Sequence, residues 1–60
     1  MEAIKYEISY DNQGNWETLG GIFYDTPFLA ECALMIHWKE LDILQQDYKM
    51  DNYQINKIDL

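Results

Sequence analysis

The chain has 60 residues, four lysines, no arginine and eleven acids, which leave a formal charge of −7 and a pI of about 4.2. That length admits a single domain, 1–60, and excludes a cofactor-binding domain joined to a substrate domain. Apolar residues at 48% exclude a disordered tail, and four scattered lysines exclude direct nucleic-acid binding, which needs clustered cations.

Residues 3–10 alternate, with Ile4, Tyr6, Ile8 and Tyr10 on one side and Ala3, Lys5, Glu7 and Ser9 on the other. This period of two predicts a half-buried strand. Asp11-Asn12-Gln13-Gly14-Asn15 is turn chemistry, read as a three-residue hairpin loop with Gly14 in the left-handed position. A second strand follows over 16–24. If Asp11 pairs with Asn15, then Tyr10 faces Trp16, Ile8 faces Thr18, Tyr6 faces Gly20 and Ile4 faces Ile22, all on the core side. Leu19 and Phe23 then alternate with Glu17 and Gly21 on the open face. Gly20-Gly21 predicts a bend or bulge.

Asp25-Thr26-Pro27 predicts a helix start, with Thr26 as cap and Pro27 at the first helical position. The helix is expected over 28–46, closed by Lys49-Met50-Asp51-Asn52. Projection at about 100° per residue groups Leu29, Ala33, Ile36, His37, Leu41, Ile43 and Leu44 on a core-facing arc. Glu31, Lys39, Asp42 and Gln46 group opposite. A third strand is expected over 53–60. A right-handed return crossover places it beside the first strand. The expected fold class is therefore α+β, in the order β-β-α-β: a three-stranded antiparallel sheet of order 2-1-3 with one helix on one face.

The residues for chemistry are sparse. His37 and Cys32 are the only histidine and thiol. They stand about 140° apart on the helix and do not form a nucleophile–base pair. His37 and Glu40 fall short of the three or four ligands that zinc needs. Gly20-Gly21 lacks the following Lys-Ser or Lys-Thr of a phosphate loop. No enzymatic activity, catalytic residue, metal or cofactor is expected. With one cysteine, no apolar run near the roughly 18 residues of a membrane span and no basic-then-apolar leader, a cytoplasmic location and no membrane partner are expected.

Two features stand out. The acids are numerous and barely neutralised: Asp11 and Glu17 near the hairpin tip, Glu31 and Asp42 on the helix, Asp47 and Asp51 four apart near its end. Carboxylates at about 5–6 Å on a helix face approach the spacing of backbone phosphates. Apolar residues also fall on the polar side, where Phe28 and Met35 accompany Trp38. Trp38 is expected as an apolar anchor of an interface.

With these acids carried outward on a strand-strand-helix-strand unit, the chain resembles, in general form, the small acidic proteins by which phages inhibit bacterial defence systems, anti-CRISPR proteins among them. The likeness spans the whole chain as a profile, without a specific motif. It implies a stoichiometric inhibitor in the bacterial host cytosol, occupying the basic groove where an effector complex or restriction enzyme receives DNA. The partner is then a basic nucleic-acid-binding protein. Asp11, Glu17, Glu31, Asp42, Asp47 and Asp51 meet its cations, with Trp38 beside them. The competing expectation is a small interaction module or homodimer using Trp38 and exposed apolar residues; monomer and homodimer both stay open.

Overall fold

The computed structural model describes residues 3–59, so Glu2 and the Leu60 end of the expected third strand lie outside the described residues. Strands β1 (Ile4–Asn12) and β2 (Asn15–Tyr24) form the hairpin, helix α1 (Pro27–Ile43) follows, and a short 3-10 turn at Met50–Asn52 leads into β3 (Tyr53–Asp59). The sheet is antiparallel with order β2-β1-β3, which is the expected α+β arrangement. Among the described residues, no helix is long and apolar enough to cross a membrane.

The hairpin register differs from the expected one by a residue. Asn12 pairs with Asn15, Asp11 with Trp16, Tyr10 with Glu17 and Ser9 with Thr18. The connection is a two-residue turn of Gln13 and Gly14, both with positive φ (54° and 92°). Such a turn matches the twist of the strands, whereas the longer loop is only one of several alternatives. Because side chains alternate, the slip exchanges faces on β2. Leu19 joins the core rather than the open face. Trp16 leaves it, lying across from Asp11 with half its surface exposed. The expected bulge is present: the register jumps between Ser9↔Thr18 and Glu7↔Phe23, where Gly20 and Gly21 hold φ of 68° and 65°. Tyr6 consequently pairs with Tyr24, not Gly20.

Thr26 caps α1, its hydroxyl accepting from the Leu29 amide at 3.2 Å, and Pro27 occupies the first turn as expected. The helix ends at Ile43, short of 46. Gln46 N–H reaches Leu41 C=O (2.9 Å) and Gln45 N–H reaches Asp42 C=O (3.1 Å), with Gln45 at φ 56°. That bonding closes the last carbonyls and turns the chain away. Asp47 and Asp51 thus lie beyond the helix, not four apart along it.

The helix also shows a different face to the sheet. Ala30 and Leu34 are its buried residues, packed with Ile8 of β1 as the core. The small Ala30 side chain permits a close approach of backbone to sheet. Leu29, Ile36, Ile43 and Leu44, expected inside, are exposed. The buried arc is rotated by about 90° from the expected one. Apolar residues occupy nearly every side of this helix, so periodicity alone does not single out the inner face.

Two glutamines carry left-handed backbone, which a β-carbon disfavours by about 1 kcal/mol. Gln13→Asn and Gln45→Gly are each expected to raise stability by about 0.5–1 kcal/mol, read from urea midpoints. Unchanged midpoints would show that neither turn is held as described.

Candidate functional site: an acidic end of the fold

The sheet register decides where the acids gather. Tyr10 of β1 pairs with Tyr53 at the start of β3. The hairpin tip and the Met50–Asn52 turn therefore lie at the same end of the sheet. Helix α1 runs toward that end, because Trp38 packs edge-on against Tyr53 (centroids 5.7 Å apart) and flat on Tyr48 (6.0 Å, 9°). Past the helix, Tyr48 donates to Asp42 at 3.3 Å. Asp11 and Glu17 from the hairpin thus share one end with Asp42, Asp47 and Asp51. Lys49 lies at that end, and Lys39 stands next to Trp38 on the helix. Lys5 and Lys57 belong to the other end, where Lys5 pairs with Ile58, Tyr6 with Lys57, and Lys5 makes an ion pair with Asp25. The molecule measures 43 × 24 × 16 Å, long enough to hold a charge asymmetry of this kind.

Three of the five carboxylates, Asp11, Glu17 and Asp42, accept from neutral donors, which orient them without cancelling their charge. Asp11 accepts the Gly14 amide at 2.8 Å. Glu17 accepts Asn12 Nδ2 at 2.6 Å and the Tyr10 hydroxyl at 3.2 Å. The Glu17 carboxylate pushes the Tyr10 phenol pKa up. Burial first, and the Asp42 carboxylate second, push Tyr48 up as well. Asp47 lies with Tyr48, Lys49 and Asn52 around a hollow of about 530 Å³.

Glu31 stands apart. It shares a side of α1 with Asp42 but lies about 16 Å from it along the axis. There it borders a groove of about 380 Å³ between α1 and β3, walled by Met35, Trp38 and Ile55. Trp38 is half-buried beside the core, and its Nε1 has no acceptor among the described residues. Its ring supports the acidic end from behind. A buried donor without an acceptor costs its desolvation energy, which a phenylalanine would relieve while giving up part of the ring's contact. Trp38→Phe is therefore expected to change the unfolding free energy by less than about 1 kcal/mol, while Trp38→Ala loses about 2–3 kcal/mol. A larger loss for the phenylalanine variant would mean that the indole N–H is bonded. The exposed aromatic at the acidic end is instead Trp16, beside Asp11. Sequence reasoning missed it by placing it in the core. The signal available was Gln13-Gly14, which fits a two-residue turn.

The other face of the sheet carries a closed polar cluster. Glu7 accepts from the Thr18 hydroxyl, from Ser9 at 3.0 Å and from Asn56 at 3.4 Å, and Asn56 also donates to Ser9 at 2.7 Å. The Thr18 bond foremost holds the Glu7 carboxyl below its ordinary 4.5, against the opposing effect of burial, with Ser9 and Asn56 adding to it. A carboxyl depressed in the folded state contributes stability above its unfolded pKa and loses it as pH falls through the folded value. Urea midpoints measured from neutral pH to below the ordinary 4.5 are expected to fall less steeply for Glu7→Gln than for wild type. Equal slopes would remove Glu7 from the acid response.

No family model matches this sequence, and no curated protein or solved structure is similar to it at a significant level. Function must therefore be read from the side chains themselves. His37 faces Tyr53, its Nε2 lying 3.4 Å from the hydroxyl, as a half-buried residue of the helix–sheet seam. Cys32 is a half-buried free thiol. Among the described residues, no three His, Cys, Asp or Glu side chains gather in a way that could hold a metal.

Proposed function

We propose that this protein is a non-catalytic inhibitor that binds a nucleic-acid-handling protein through its acidic end. Asp11, Glu17, Asp42, Asp47 and Asp51 meet arginines or lysines of a groove that otherwise receives DNA, and Trp16 supplies apolar contact at the rim. Such a groove is found in CRISPR effectors and restriction-type enzymes. The observation that carries this reading is the gathering of five carboxylates from the hairpin, the helix and the following loop at one end. Neutral tyrosine and asparagine donors orient Glu17 and Asp42 without reducing the charge. Charge of one sign focused on a small body also steers association with a basic partner.

Capture from a bacterial host lysate tests the proposal. The immobilised protein is expected to retain nucleic-acid-binding proteins, and added duplex DNA is expected to displace them. Retention that duplex DNA leaves unchanged would remove the mimicry from the proposal.

A further inference from the structure

The outer side of α1 is apolar although the sheet covers only its inner side. Phe28, Leu29, Met35, Ile36 and Ile43 are 68, 48, 65, 60 and 72% exposed. On the helix they fall in a sector about 120° wide, its middle opposite Ala30 and Leu34 and its edge, at Met35, bordering the groove against β3. A helix that is apolar all round is normally covered on all sides.

We propose that a second copy of this chain covers that sector, the two helices packing antiparallel across a two-fold axis at Met35. Three observations select this occupant. The first is area. The five side chains present roughly 600 Å² per copy, and the surrounding rim brings this toward the about 800 Å² per partner of a stable interface. The second is self-complementary charge. Lys39 lies inside the apolar sector and Glu31 on its border, four residues to either side of Met35. An axis at Met35 sets each Glu31 against the Lys39 of the other copy, which makes the contact isologous. The same axis brings Phe28 near the second copy's Ile43. The third is the distribution of acid. Antiparallel packing sends the two acidic ends in opposite directions, which limits repulsion between bodies of charge −7. A basic partner in this sector would instead face Lys39. The dimer brings Asp42 beside the second copy's Phe28 and leaves the hairpin and loop acids outside the contact, so it stands independently of the inhibitor reading.

Sedimentation equilibrium of the whole chain at about 100 µM tests this. The expected mass is twice 7.2 kDa. Met35→Lys is expected to sediment as a monomer with an unchanged far-ultraviolet circular dichroism spectrum. Glu31→Lys is expected to raise the dimer Kd about tenfold, by setting two lysines together at both symmetry-related pairs. Glu31→Lys combined with Lys39→Glu is expected to restore the wild-type Kd. This exchange uses exposed residues outside the core, so it stays informative if Met35→Lys misfolds. A wild-type mass of 7.2 kDa would overturn the proposal. So would a dimer whose Kd Glu31→Lys alone leaves unchanged, or one that adding Lys39→Glu fails to restore.

Discussion

Ile8→Ala is expected to remove most of the protein's stability, leaving at most about 2 kcal/mol at room temperature. The core consists of Ile8, Ala30 and Leu34, and Ile8 is the one large side chain among the described residues that is fully enclosed. It sits on the central strand, between β2 and β3, where the helix crosses. Removing three carbons there forfeits their transfer energy and leaves a cavity, together about 3 kcal/mol. A domain of this size holds only about 3–5 kcal/mol in total. Ile22→Ala provides the contrast, because Ile22 is 52% exposed and its loss is expected to stay below about 1 kcal/mol. Circular dichroism with urea titration reads both. An Ile8→Ala midpoint close to wild type would mean that the stabilising contacts lie elsewhere.

Reversing charge at the acidic end is expected to weaken partner binding far more than the same reversal at the opposite end. Asp42→Lys with Asp47→Lys changes two groups of the acidic end. Asp25→Lys with Asp59→Lys changes two groups at the other, beside Lys5 and opposite Ile4. Both pairs shift the net charge equally, so long-range steering changes alike. Only the acidic-end pair places lysines against the partner's cations. Like charges in contact cost several kcal/mol, so the expected loss is about a hundredfold or more, against less than about fivefold for the control. Affinities for a captured partner, with circular dichroism to confirm folding, make the comparison. Equal losses would mean a diffuse halo of charge rather than a binding surface.

Much of the architecture is legible in the residues. Alternation over 3–10 gives the central strand, Thr26-Pro27 starts the helix, and the crossover rule places β3 beside β1. The hairpin register is harder to read. Five consecutive turn-forming residues accommodate either a two-residue or a three-residue connection, and Gln13 is an unusual choice for positive φ. That single residue decides whether Trp16 or Leu19 enters the core. The inner face of α1 is obscured for another reason: Phe28, Met35, Ile36 and Ile43 dilute the periodicity that Ala30 and Leu34 follow. The candidate site was half legible. Exposure of the acids follows from their chemistry, but their gathering depends on Tyr10 pairing with Tyr53 and on Tyr48 reaching Asp42, which are long-range contacts.

The most direct measurement of the acidic end as a substitute for a polynucleotide is the salt dependence of affinity for a basic partner. Contacts made by opposite charges weaken steeply as ions screen them. Between about 50 and about 500 mM salt, Kd is expected to rise at least about a hundredfold, with most of that dependence lost in Asp42→Lys/Asp47→Lys. A Kd that stays constant across this range would contradict an interface built on these carboxylates.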